Sequence, residues 1–182
     1  MCVDRGVGTS DALLDRTAIE PALRRLAERL SGRGVVADLY VYGGAAMTLL
    51  YDPRRATREV DAFFEPHDAV AEEAREVAAE LGLPTTWLTD ETAGFVAPGG
   101  DLKARRIIEQ PGVRVSVASP EHLLAMKVLA ARRRDAQDIE RLVGHFGIRS
   151  VDEVLSRCSE VFPEAEIPSR VYLILEDVLD RS

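Results

Sequence analysis

Apolar residues along this chain fall into short periodic runs separated by Gly, Pro and Asp. Between residues 11 and 30, Leu13, Leu14, Ile19, Leu23, Leu26 and Leu30 recur at helical spacing, and Gly32 and Gly34 close the run. Pro21 is expected to divide it into a short lead-in and a main helix beginning near Ile19. Residues 35 to 42, rich in Val, Tyr and Leu, read as a buried strand, and 45 to 51 as a short helix. Asp52-Pro53 marks a turn, and a second strand is expected over 57 to 64. Val70, Ala74, Val77, Ala78 and Leu81 form one stripe of a helix over 68 to 81, which Gly82 ends.

The stretch from 83 to 112 has less pattern. Short strands are expected over 85 to 88 and 104 to 108, around a loop from 95 to 100, with a clearer strand over 113 to 118. Ser119-Pro120-Glu121 then combines a hydroxyl cap, Pro in the first turn and an early acid, the opening of a helix running to about residue 132. Further helices follow over 135 to 146, stopped by Gly147, over 150 to 161 with the capping box Ser150-Val151-Asp152-Glu153, and over 168 to 179. The β-α-β-α order without a dinucleotide-binding Gly fingerprint predicts an α+β fold, a small mixed sheet backed by helices and followed by a C-terminal helical region. The expected division is an α/β core over residues 1 to 118 and a helical region over 119 to 182.

Composition narrows the picture further. With 182 residues, 46% apolar and 30% charged, the chain is an ordinary globular sequence, and no apolar run approaches the length of a membrane span. The first residues lack signal-peptide anatomy, and the two cysteines do not make a disulfide framework, so a cytoplasmic protein is expected. A net charge of −8 argues against general affinity for DNA, although Arg105-Arg106 and Arg132-Arg133-Arg134 are local basic clusters or solvated faces. Lys occurs only at positions 103 and 127.

Two stretches carry candidate chemistry. In the first, an apolar run ends on Gly43 and Gly44, a helix starts at once, and a second apolar run holds Glu59 and Asp61 one residue apart. In a strand these acids share one face, with Cα atoms about 6.5–7 Å apart, close enough to share hard divalent cations. The glycines let the backbone approach a ligand, and the helix start offers N–H groups to a phosphate. Arg55 could pair with phosphate or with Glu59, and Thr57 is expected on the face of the two acids. The alternatives are a solvated strand face for the acids and simple turn geometry for the glycines. In the second stretch, Lys127 shares a helical stripe with Leu124, Val128 and Ala131, so a buried ammonium is expected to need a partner, unless it snorkels from the helix edge. Asp138 lies about 16 Å further along a straight helix, and only a break near Arg134 would bring it nearer. Asp135 and Asp138 could instead pair with the neighbouring arginines.

The order apolar-Gly-Gly, then Arg55-x-Thr57-x-Glu59-Val60-Asp61, resembles the signature of the nucleotidyltransferase superfamily with its polymerase-beta-like fold, and its small bacterial branches such as the AbiE-type toxin nucleotidyltransferases. The block ending in Lys127, followed by Arg134-Asp135-x-x-Asp138, is similar to the Lys and Asp-x-x-Asp helix pair of that group. The resemblance covers roughly residues 35 to 145. It implies Mg²⁺-dependent transfer of a nucleoside monophosphate from an NTP to an acceptor hydroxyl on RNA or protein, with an antitoxin-like protein as a possible partner. Glu59 and Asp61 would bind metal and act in catalysis with Lys127 and Asp138; Gly43, Gly44, Arg55, Thr57, Lys127 and Asp135 would bind the nucleotide. The superfamily usually adds a third carboxylate from a later strand, and Val113-Arg114-Val115-Ser116-Val117 contains none. Asp135 or Asp138 replacing it, activation by metal alone, and a degenerate nucleotide-binding module that does not turn over are all open.

Overall fold

A computed structural model describes residues 12–90 and 100–181. The chain divides into two compact units, Met1–Ala93 with Arg106–Val117, and Gly94–Arg105 with Ala118–Ser182.

The first unit is built on a five-stranded mixed sheet. Helix α1 (Arg16–Gly32) is capped by Asp15, whose carboxylate accepts from the Ala18 N–H at 3.0 Å. It runs through Pro21 without a break, because a continuous stripe of Ile19, Ala22, Leu23, Leu26, Ala27 and Leu30 is buried beneath it. Leu14, expected in the helix, lies before it. Strand β1 (Ala37–Val41) leads into α2 (Gly43–Ala46), which continues as a π-helical turn over Met47–Tyr51. Strand β2 (Val60–Glu65) is antiparallel to β1, and α3 (His67–Leu81) ends, as the sequence predicts, on left-handed Gly82. The short β3 (Leu88–Thr89) pairs parallel to β2, and the hairpin strands β4 (Arg105–Gln110) and β5 (Val113–Val117) complete the order β3-β2-β1-β5-β4, with β5 parallel to β1. The architecture is α+β. Most of the loop expected over 95 to 100 lies outside the described residues.

Alternation along the strands gives the sheet two different sides. Leu39, Val41, Ala62, Phe64, Val115 and Val117 are buried on the side that receives α1 and α3. Trp87 is fully buried and donates from Nε1 to the Ala74 carbonyl at 2.8 Å, fixing α3 to the segment before β3. Between the two helices, Glu73 is buried and receives hydrogen bonds from Arg29 and Arg33. Burial pushes the Glu73 carboxyl up, but the Arg33 and Arg29 bonds outweigh it and hold the group below its ordinary value of 4.5.

The second unit is helical. Ser119 caps α4 (Pro120–Ala130), accepting from the His122 N–H at 3.3 Å. The buried Asp101 carboxylate accepts from the Ser119 N–H at 2.7 Å, which joins the 100–105 segment to this helix start. The helix stops two residues before the expected end, where Ala131 adopts a left-handed φ of 48°. A 3₁₀ turn (Arg133–Asp135) leads into α5 (Ala136–Phe146). Helix α6 (Val151–Val161) shows half of the predicted capping box: Ser150 accepts from the Glu153 N–H, while Glu153 accepts from the Arg149 N–H at 2.9 Å, one residue before the cap. The last helix is α7 (Arg170–Leu179). No helix among the described residues is long and apolar enough to cross a membrane.

Candidate functional site

The first cluster forms where β1 turns into α2. Tyr42 is extended, Gly43 takes a φ of 64°, and the helix begins at that residue. A left-handed conformation at the first helical position is open to Gly and strained for other residues. The Tyr42 N–H donates to the Asp61 carbonyl at 3.0 Å, so the bend and the start of β2 are held in register by the backbone. A Cβ at position 43 would lie 2.6 Å from Asp61 Oδ2. One at position 44 would lie 2.9 Å from Thr57 Oγ1 and 3.8 Å from an Arg55 guanidinium nitrogen. The absence of a side chain at these two positions therefore lets a carboxylate, a hydroxyl and a guanidinium come close to the backbone of the bend. Asp61, Thr57 and Arg55 are each half-buried.

Glu59 departs from the expected geometry. The ladder begins at Val60, while Arg58 and Glu59 lie in a bend, so strand alternation does not fix the Glu59 side chain. Its side chain is exposed, and its carbonyl accepts from Thr57 Oγ1 at 3.1 Å. Thr57 is likewise not part of β2. It forms an isolated antiparallel bridge with Leu14, with N–H to carbonyl distances of 2.6 and 2.9 Å. Leu14 is thus a positioning residue that periodicity misassigned to the helix, although Leu13 at 64% exposure and Leu14 at 2% alternate as extended chain does. Thr48, another residue not singled out by pattern, is fully buried and donates to the Gly44 carbonyl at 3.1 Å, bracing the turn from within.

The second cluster is contained in the helical unit. Lys127 is 7% exposed, and its ammonium lies 3.0 Å from Asp135 Oδ1 and 2.5 Å from Asp138 Oδ2. The left-handed Ala131 and the 3₁₀ turn supply the break that folds α5 back towards Lys127. Asp135 and Asp138 meet the lysine, and a buried ammonium receives the partners it requires.

Among the described residues no group of three or more His, Cys, Asp or Glu side chains gathers as a metal site. Mg²⁺ does not need one, since it commonly takes one or two carboxylates and completes its shell with water and substrate phosphate. Asp61, with an oxygen close against Gly43 and Glu59 two residues away, fits that donor set.

Comparison with curated proteins yields no match. Among solved structures, a likeness is found to an antigenic nucleotidyltransferase-like protein from Paracoccidioides brasiliensis, 18% identical, with 93% of this chain and 91% of that one covered at a TM-score of 0.40. A family model described as nucleotidyltransferase of unknown function (DUF6036) matches residues 21–167, and the chain belongs to that family.

Proposed function

We propose that this nucleotidyltransferase moves a nucleoside monophosphate from an NTP to an acceptor hydroxyl on RNA or protein, with Mg²⁺ as cofactor. The observation that carries the reading is the close approach of Asp61, Thr57 and Arg55 to the side-chain-free bend at Gly43 and Gly44. Phosphate is the ligand for which that combination is suited. The bend lets the backbone come close, and the first-turn N–H groups of a helix lack i−4 carbonyls and can donate to phosphate oxygens. Thr57 Oγ1 would add a hydroxyl donor and Arg55 a cation at the edge beside Gly44. Asp61 and Glu59 would hold Mg²⁺, which supplies charge neutralisation at the triphosphate and lowers the pKa of the attacking hydroxyl. Lys127, Asp135 and Asp138 are proposed to keep the helical unit in register, their charges being committed to one another.

Incubation with each α-labelled NTP, Mg²⁺ and either tRNA or cell extract tests the reading. Label should pass to a macromolecule with the wild-type chain and not with a Glu59→Ala/Asp61→Ala variant; equal label from both would refute it. A second reading, a nucleotide-binding module without turnover, is favoured by one observation. The open side of β5 offers Arg114 and Ser116 in place of a carboxylate, and Arg114 is engaged by Asp38. Thermal stabilisation by NTP and Mg²⁺ with no product by mass spectrometry would select it. A cytoplasmic, toxin-like role of the bacterial AbiE type, with an antitoxin-like protein partner, belongs to the same proposal on the strength of sequence resemblance. A small reading frame adjoining the gene, whose product binds this chain, would support it.

A further inference from the structure

The side of the sheet opposite α1 and α3 continues directly from Asp61. On β2, Asp61, Phe63 and Glu65 alternate onto that side, Phe63 being 42% exposed. On β1, Tyr40 stands opposite Phe63 and Asp38 opposite Glu65; on β5, Ser116 lies beside Tyr40 and Arg114 beside Asp38. The face therefore holds a half-exposed aromatic pair one strand step, about 7 Å, from the carboxylate that the transfer reading uses.

We propose, resting on that reading, that this face is the acceptor subsite and that the acceptor is a polypeptide: a basic segment presenting a Ser, Thr or Tyr hydroxyl. Charge decides between the two acceptor classes. Arg114 is the cation that these three strands place on the face, and Asp38 pairs with it in a bidentate contact along its Nε–Nη2 edge, at 2.6 and 2.6 Å, which offsets its charge. Glu65 is exposed, and its side chain makes no hydrogen bond or ion pair among the described residues. An RNA end brings phosphates that need uncommitted cations, and it meets carboxylates here instead. A Lys- or Arg-containing segment meets Glu65 in favourable charge, and its side chains can lie over Phe63 and Tyr40. The aromatic pair would stack a nucleobase equally well, so the choice rests on the acidic rim. In the step itself the acceptor oxygen bonds to the α-phosphorus, and the bond from that phosphorus to the β-phosphate bridging oxygen breaks. Its electron pair leaves on pyrophosphate, and the hydroxyl proton passes to water.

The test supplies the full chain with α-labelled NTP, Mg²⁺ and one of three acceptors. These are a short Lys/Arg-rich peptide containing Ser, Thr and Tyr, the same peptide with Glu at the basic positions, and total tRNA. The basic peptide should be labelled about tenfold or more above the other two. Glu65→Lys should abolish that preference, and Phe63→Ser should raise the KM for the peptide, while both variants keep the thermal stabilisation that NTP and Mg²⁺ give the wild type. Asp38→Ala, which releases Arg114, should also weaken the basic peptide. Preferential labelling of tRNA, a preference unchanged by Glu65→Lys, or NTP stabilisation with no peptide labelled would overturn the inference. Absence of both label and NTP stabilisation would instead defeat the transfer reading on which it rests.

Discussion

Gly43→Ala and Gly44→Ala separate two reasons why glycine stands in the bend. At Gly43 the φ of 64° costs an L-residue about 1–2 kcal/mol. The added methyl at 2.6 Å from Asp61 Oδ2 also forces that side chain out of its rotamer, for about 0.5–1.5 kcal/mol. The expected loss is therefore about 2–3 kcal/mol, a large part of the roughly 5–15 kcal/mol typical of a domain. At Gly44 the φ is not left-handed, and only the 2.9 Å approach to Thr57 Oγ1 opposes a methyl, so about 1 kcal/mol is expected. Trp87, the sole tryptophan, is fully buried in the same unit, and its fluorescence during urea unfolding reads the stability of that unit. Double-mutant cycles then divide the terms. Thr57→Ala should recover most of the Gly44→Ala loss, whereas Asp61→Ala should leave about 1–2 kcal/mol of the Gly43→Ala loss in place. A Gly43→Ala protein as stable as wild type, or one fully rescued by Asp61→Ala, would refute the assignment of strain to the backbone at position 43.

Lys127→Met strands two buried carboxylates and should destabilise the helical unit by about 3–5 kcal/mol, read by thermal melting of the helical circular dichroism signal; adding Asp135→Asn and Asp138→Leu should recover much of it. Ala131→Gly relieves the left-handed φ and should be neutral or stabilising by up to about 1 kcal/mol, whereas Ala131→Val should lose more than that in the same melt. Because Glu73 titrates below its ordinary 4.5, its stabilisation is present above that pH and is lost as pH falls through the lower folded value; Glu73→Gln should flatten that part of the acid limb in Trp87-monitored unfolding. Burial pushes the Cys158 thiol up to about 12, so iodoacetamide at pH 8 should alkylate Cys158 only after unfolding, as mapped by mass spectrometry.

The elements that sequence pattern located well are those whose signals are local. Gly82 and Gly147 end their helices in the left-handed conformation, and Ser119 and Ser150 cap theirs by accepting from backbone N–H groups, because each involves residues within one helical turn. Within the candidate site, the bend at the Gly pair and the place of Asp61 on its strand were legible because each is set by neighbouring residues. What failed depended on long-range pairing. Thr57 and Leu14 are 43 positions apart, and their bridge, invisible to a window of neighbours, takes both residues out of the elements assigned to them. With Thr57 held there, Arg58 and Glu59 must bend to reach the ladder at Val60, which is why the expected alternation of Glu59 with Asp61 does not apply. Pro21 failed in the opposite direction, since a breaker of local structure was overruled by six buried side chains along one helix stripe.

The two polar clusters differ in the property that decides whether a ligand can enter. In the helical unit, Lys127, Asp135 and Asp138 are at most 9% exposed, and cation and anions answer one another within the cluster. Removing Lys127 strands two buried carboxylates, so the cluster should report through stability. In the sheet unit, Asp61, Thr57 and Arg55 are half-buried around positions from which side chains have been left out. Glycine at 43 answers the left-handed φ, and both glycines admit the close approach of Asp61 and Thr57, so the cost of a methyl there belongs to the bend and not to the charge on Asp61. Asp61→Asn, which keeps the shape and removes the charge, should therefore leave Trp87-monitored stability nearly unchanged and abolish Mg²⁺-dependent stabilisation by NTP. The reverse result, lost stability with nucleotide response intact, would place the carboxylate among the structural groups and remove the support for phosphate binding at the bend.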